Sequence, residues 1–142
     1  PEMLRAVTQA GMERHHQQMI DALAPLPERS LERIVALGRV YVEFAVAEPA
    51  VFRLMFGLSD DHDEHASLVA QGGDTFGEVQ KEVARYRGSD VVEEVDVRRA
   101  FLLWSFVHGL SFLQIDGKLR QMQSPWTLDD MLLDIAKRVM HD

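Results

Sequence analysis

The 142-residue sequence contains no cysteine, and this absence removes several kinds of site at once. Disulfide bonds, zinc held by thiolates and thiol nucleophiles all require cysteine, so none of them belongs to this chain. Basic residues are also few, because 15 lysines and arginines stand against 23 acidic residues and give a net charge of −8. Such a surface repels a phosphate backbone, so the chain is not itself a nucleic-acid-binding module.

Strand patterns, internal repeats and targeting segments are missing as well. The longest apolar run, AFLLWSFVHGLSFLQI at residues 100–115, is shorter than a membrane span of about 20 residues and contains His108 and Gln114. We therefore expect no contact with a membrane, and the lack of a signal peptide is compatible with a cytoplasmic protein. Hydrophobic residues make up 46% of the chain, which is sufficient for one buried core. The sequence predicts a single all-α domain over residues 1–142.

Apolar residues recur at helical spacing along nearly the whole chain, and proline or glycine separates the segments. We expect six helices, at residues 2–23, 28–47 or 30–47, 49–56, 65–87, 93–116 and from 127 through 139. The acidic stretch 58–64 is expected to be a loop. Asp90 followed by Glu93 predicts the cap of the fifth helix, and Thr127 predicts the cap of the last one.

Three helices have apolar patterns that predict how they are buried. In the first helix the expected buried stripe comprises Leu4, Val7, Gly11, Met12, His16, Met19, Ile20 and Leu23. The second helix has apolar residues on more than one side and is expected to be buried accordingly. The run 100–115 is apolar on nearly every side, more than one small chain can cover. A second subunit or a ligand is expected to provide the remaining cover.

Two motifs within these helices resemble a known family. The first is YVEFAVAEPAVFRLMFG at residues 41–57, in which a long helix, a Glu-Pro break and a short helix follow one another. The second is WSFVHGL at residues 104–110. Together they resemble the C-terminal domain of TetR-type bacterial transcriptional regulators, in the subgroup marked by a Trp, His, Gly triplet, here Trp104, His108 and Gly109. The order of the six helices extends this resemblance to essentially the whole chain.

The resemblance implies an effector-binding and dimerisation domain, with no enzymatic activity and no cofactor. In such regulators a helix-turn-helix domain precedes this part and binds operator DNA. That domain is absent from this sequence, so contact with operator DNA is expected only through it. The resemblance further implies a repressor that a small apolar effector releases from DNA, with the first helix connecting the two domains.

An internal ligand cavity is also implied, and aromatic and methionine side chains are suitable linings for one. The candidate ligand-binding residues are Tyr41, Phe44, Phe52, Met55, Phe56, Phe76, Trp104 and His108. Ordinary core packing would account for the same residues. His108 either anchors a polar group of the ligand or bonds a neighbouring helix, since a buried polar group needs a partner.

The last two helices of each subunit are implied to pack into a four-helix interface between two copies of the chain. Gly109 and Ser111 are small and would let a partner helix come close. The candidate interface residues are Gly109, Phe112, Leu128, Met131, Leu132, Ile135 and Val139. The alternative is that both helices pack within one subunit. Twofold dimers are the commonest soluble oligomers, which favours a homodimer.

Two polar groups have the composition of metal sites, but their context argues against metal binding. His62 and His65 lie in an acidic segment before a helix, where the helix dipole favours acidic residues in any case. Glu13 and His16 have the Glu-x-x-His spacing of di-iron bundles, which need a second such motif that the sequence lacks. Neither a nucleophile motif nor a phosphate loop is present. The alternative to a regulator is a stand-alone helical interaction or small-ligand-carrier protein without DNA-binding function.

Overall fold

The computed structural model describes the backbone of residues 2–56 and 62–141 and the side chains of residues 2–56 and 75–141. This part of the chain consists of helices and turns, without strands, so the predicted all-α class is confirmed. The helices are α1 (Glu2–Leu23), α2 (Leu31–Ala47), α3 (Pro49–Phe56), α4 (His62–Arg87), α5 (Glu94–Ile115), α6 (Lys118–Gln121) and α7 (Leu128–Met140). Of these helices, as far as they are described, none is long and apolar enough to cross a membrane.

The predicted bounds of α1 and α3 are confirmed, whereas the predicted start of α4 is wrong. α4 begins at His62 rather than at residue 65, because its first turn has no apolar residue from which the spacing could reveal it. The single turn α6 was not predicted at all. It follows Gly117, whose φ of 74° reverses the chain, and four residues are too few for a periodic pattern.

The cap of α5 differs from the predicted one. Glu93, rather than Asp90, is the N-cap, and it forms a capping box with Asp96, whose carboxylate accepts the Glu93 backbone N–H at 2.9 Å. Asp96 is fully buried and also accepts from Arg87 Nη2 at 2.7 Å and Nε at 3.0 Å. These bonds from the Arg87 guanidinium hold the pKa of Asp96 below its usual value. The end of α4 is therefore joined to the beginning of α5.

α2 is the central helix of the domain and packs against α1, α3, α4, α5 and α7. It is buried on more than one side, as predicted, and its buried residues are Ile34, Val35, Ala36, Leu37, Gly38, Val40, Tyr41, Val42, Phe44 and Ala45. A Cβ atom at Gly38 would lie 2.9 Å from Leu132 Cδ2 on α7 and 3.3 Å from Val107 Cγ1 on α5. The three helices come this close because residue 38 has no side chain.

The buried face of α1 is not the stripe that the spacing predicted. Its buried residues are Thr8, Gly11, Met12, His15 and Met19, while Leu4, Val7, His16 and Ile20 are exposed. Gly11 decides this orientation, because a Cβ atom there would lie 2.5 Å from Val51 Cγ1 on α3. With glycine at the point of closest approach, the residues on the same side as Gly11 turn inward.

Polar contacts attach α1 to the rest of the bundle at two further points. Arg14 forms an ion pair with Glu48, at the junction of α2 and α3. Near the other end, Arg33 Nη1 donates to the Leu23 carbonyl at 3.0 Å, while its remaining N–H groups bind both oxygens of the buried Glu82 on α4 at 3.0 Å. The position of α1 is thus fixed relative to α2, α3 and α4.

Candidate functional site

A cluster of aromatic rings occupies the space between α2, α3 and α5, and Tyr41 lies at its centre. The Tyr41 ring is 5.3 Å from the ring of Phe52 and 5.2 Å from that of Phe56, measured between centroids. Phe112 reaches the same cluster from α5, 5.4 Å from Phe52 and 5.0 Å from His108. Edge-on and tilted contacts at these distances are the favoured geometries of aromatic pairs.

The polar atoms of this cluster are paired with each other. Tyr41 Oη and His108 Nδ1 are 2.9 Å apart and share a hydrogen bond. Burial raises the pKa of the Tyr41 hydroxyl and lowers the pKa of His108, so both groups are neutral. His108 therefore bonds a neighbouring helix, since its partner belongs to α2, and its part in ligand binding stays a prediction.

A second aromatic group continues along α5 towards α4. The ring of Trp104 lies 5.5 Å from that of His108 and 5.9 Å from that of Phe76, and the exposed Phe101 is 6.5 Å from Trp104. Trp104 thus lies between the aromatic cluster around Tyr41 and Phe76 on α4.

A small apolar cavity lies where α1, α2, α4, α5 and α7 meet, and its volume is about 40 Å³. It is lined by His15, Met19, Ile34, Val35, Leu37, Gly38, Tyr41, Thr75, Val79, Leu103, Trp104, Val107, Leu132, Ile135 and Ala136. Ligand pockets in proteins usually have volumes of roughly 300–1,000 Å³. A ligand of that class would have to displace wall residues, and the flexible side chain of Met19 is one that can move.

Two polar atoms at this cavity have no hydrogen-bond partner among the described residues, His15 Nε2 and Trp104 Nε1. Burial raises the pKa of Tyr41 and the nearby Trp104 side chain acts in the opposite direction, although Trp104 Nε1 has no hydrogen-bond partner among the described residues. Burial, aided by the neighbouring His16, lowers the pKa of His15 to about 4, so its ring is neutral at pH 7. An unpaired buried polar group costs about 1–3 kcal/mol. Two such groups at one cavity are unusual, because buried polar groups in native proteins are normally hydrogen-bonded.

The structure divides the predicted ligand-binding residues into two groups. Tyr41 and Trp104 line the cavity, whereas the other members lie outside its wall: Phe44, Phe52, Met55, Phe56, Phe76 and His108. Phe44, Phe52 and Met55 are buried in the main core around Tyr41. Their part in ligand binding stays a prediction.

Sequence reasoning missed His15 and selected its exposed neighbour His16 instead. The signal that could have found His15 is its spacing from Gly11 and Met19, four residues in each direction on one helical face. Glu13 is exposed as well, so the Glu-x-x-His pair points away from the core. The described residues include no group of three or more potential metal ligands. The side chains of His62 and His65 lie outside the described part.

The predicted interface residues also differ in how deeply they are buried in their own chain. Gly109 is exposed, and a Cβ atom there would meet nothing within 4 Å. Phe112 packs inward on Phe52, and Leu132, only 2% exposed, packs on Gly38. The remaining members are half-buried against the core of their own chain: Leu128, Met131, Ile135 and Val139. Dimerisation through these residues stays a prediction.

Comparison with known proteins gives one match. Residues 34–136 match the family model described as a tetracyclin repressor-like, C-terminal domain. This range begins within α2, ends within α7 and covers most of the chain. It includes every residue that lines the cavity except His15 and Met19 of α1. Neither the curated proteins nor the solved structures gave a match.

Proposed function

The chain belongs to the tetracyclin repressor-like C-terminal domains, and we propose that it is the effector-binding and dimerisation domain of a ligand-responsive transcriptional regulator. The observation that carries the proposal is the cavity between five helices with two unpaired polar atoms at its wall. A small, largely apolar molecule would enter this cavity and enlarge it. The assigned activity is binding, without catalysis and without a cofactor.

The composition of the cavity wall suggests how ligand binding would affect DNA binding. His15 and Met19 contribute the α1 part of the wall, so a ligand that enlarges the cavity presses on α1. In this proposal α1 continues into a DNA-binding domain, as the resemblance of the sequence implies. An effector acts only if it binds the enlarged conformation better than the compact one. Helix-turn-helix dimers read half-sites about 34–36 Å apart, so a small rotation of α1 is sufficient to release a repressor.

The outer surface of α5 supports the proposed homodimer. Leu102, Ser105, Gly109 and Leu113 lie on one exposed stripe of this helix, three or four residues apart. The residues at its centre, Ser105 and Gly109, are small, and those at its ends, Leu102 and Leu113, are apolar. Such a stripe permits close packing of two helices. Together with the half-buried stripe of α7, it forms the surface that we assign to the partner subunit.

The ligand-binding part of the proposal is tested by filling the cavity. Ala136 lines the cavity and is buried, so Ala136→Leu should occupy its volume, whereas the exposed Ala50 provides a matched control as Ala50→Leu. We expect the neutral fluorescent probe N-phenyl-1-naphthylamine to bind once per chain, and Ala136→Leu to weaken that binding about tenfold or more. Equal binding by both variants would contradict the proposed site.

The dimer is tested by sedimentation. Leu113→Lys places a charge on the exposed stripe and should convert the dimer into monomers, because an unpaired charge is costly at a buried interface. The matched control is Arg138→Ala on the exposed face of α7, which should leave the mass unchanged. A monomeric wild-type chain would refute the interface.

A further inference from the structure

The cavity contains an uncommon combination of polar groups. Its polar lining side chains are His15, Tyr41, Thr75 and Trp104, and the rest of its wall is apolar. Tyr41 Oη shares a hydrogen bond with His108 Nδ1, and it is not a hydrogen-bond partner of Trp104 Nε1. His15 Nε2 and Trp104 Nε1 are buried and unpaired, and His15 is only 2% exposed. A polar group that enters the cavity would meet these two nitrogen atoms.

The chemistry of the indole determines which polar group can bind. Trp104 Nε1–H can only donate a hydrogen bond, so its partner must be an acceptor. The His15 ring offers a second nitrogen in the wall of the same cavity, as a donor or an acceptor according to its tautomer. An oxygen atom of a ketone, ester, ether or alcohol satisfies the indole.

The charge of the cavity decides between neutral and ionised ligands. Among the described residues that line it, none belongs to Asp, Glu, Lys or Arg. The low pKa of His15 leaves its ring uncharged at pH 7. Two arginines of α2 adjoin lining residues, and both are already paired: Arg33 with Glu82 and the Leu23 carbonyl, and Arg39 with Asp129. A carboxylate or an ammonium group would therefore lose its hydration without gaining a counter-ion.

We propose that the ligand of this cavity is an uncharged, mainly apolar molecule whose oxygen acceptor binds the Trp104 indole N–H beside His15. This inference rests on the proposed effector function and specifies the chemical class of the effector. It also assigns Trp104 the role of a specificity-determining residue, distinct from the aromatic packing around Tyr41.

Three probes of equal heavy-atom number separate the possibilities: acetophenone, isopropylbenzene and benzoate. Each has a benzene ring, and they differ in presenting a neutral oxygen acceptor, no acceptor or a charged one. The chain contains two tryptophans, and Trp126 is 60% exposed and outside the cavity. Trp126→Phe therefore leaves one indole N–H signal, that of Trp104, in a ¹H–¹⁵N correlation spectrum.

We expect acetophenone to shift this indole proton downfield and isopropylbenzene to bind without such a shift. Trp104→Phe keeps an aromatic ring but removes the donor. The ratio of acetophenone to isopropylbenzene affinity, measured by ligand-observed NMR titration at pH 7, should fall about five- to tenfold in this variant. The ratio should be unchanged in Trp126→Phe, and benzoate should bind at least about tenfold more weakly than acetophenone.

The outcomes distinguish this inference from the function on which it rests. An unchanged affinity ratio in Trp104→Phe, or benzoate bound as tightly as acetophenone, would overturn the assigned ligand class while leaving a ligand-binding cavity in place. Failure of all three probes to bind would overturn the cavity function together with the ligand class.

Discussion

Tyr41 separates two histidines of the bundle, His108 on α5 and His15 on α1. The ring centroids of both lie within 6.4 Å of the Tyr41 ring, yet only His108 is hydrogen-bonded to it. The His108 side is filled by Phe52, Phe56 and Phe112, whereas the His15 side borders the cavity. Buried polar groups are normally paired, and the exceptions require an explanation. The paired side stabilises the fold, and we assign the unpaired side to ligand binding.

The largest effect is expected on the paired side. Phe52 is 0% exposed and contacts Tyr41, Phe56 and Phe112, so Phe52→Ala leaves a cavity among them. The free energy of unfolding should fall by about 3–5 kcal/mol, measured by urea denaturation at pH 7. Phe101→Ala makes the same change at a side chain that is 53% exposed and should cost less than about 1 kcal/mol. Similar losses in both variants would contradict the central place of Phe52.

The pH dependence of the free energy of unfolding should show the titration of His15. Its folded pKa of about 4 lies below the usual 6.5, so the unfolded chain takes up this proton first as the pH falls. Because of His15, the free energy of unfolding is highest above pH 6.5 and falls by about 3 kcal/mol in total between pH 6.5 and 4.

The measurement is a series of urea denaturations across this pH range. His15→Leu removes the group and should flatten the pH dependence relative to the wild type. His16→Gln changes the exposed neighbour and should retain the slope. The same slope in wild type and His15→Leu would show that His15 is not the titrating group.

Replacing each of the two histidines by leucine should change the free energy of unfolding in opposite directions. His108→Leu removes the partner of the buried Tyr41 hydroxyl and should destabilise the chain by about 1–3 kcal/mol. His15→Leu replaces a ring whose Nε2 has no partner and should raise the free energy of unfolding by about 1 kcal/mol. Thermal denaturation at pH 7.5, where both rings are neutral, compares the two variants. Destabilisation of equal size in both would remove the distinction between the two sides of Tyr41.

The helices were predictable where their signals are local. Pro49 after Glu48 and the apolar run up to Phe56 predict the bounds of α3, and the pair Pro25 and Pro27 follows the end of α1. The burial of α2 on several sides was predictable as well, because its apolar residues are too numerous for one stripe. The single turn α6 and the polar first turn of α4 carry no such local signal.

The candidate site was predictable in composition but not in arrangement. Tyr41 and Trp104 were selected as aromatic residues, and both line the cavity. Phe52 and Phe56 were selected for the same reason, yet they pack around Tyr41 as core. Aromatic residues that line a cavity and those that fill a core have the same composition and spacing. Only the positions of neighbouring helices separate them.

The sequence by itself determined that this is an all-α chain without thiol chemistry, and the family to which its motifs belong. The tertiary structure decided which of two adjacent histidines enters the core. The α1 sequence has apolar and small residues on two neighbouring stripes, so its periodicity allows either orientation. The contact of Gly11 with Val51 selects one of them, because only a residue without a side chain fits between α1 and α3. That contact turns His15 towards the cavity and His16 towards solvent.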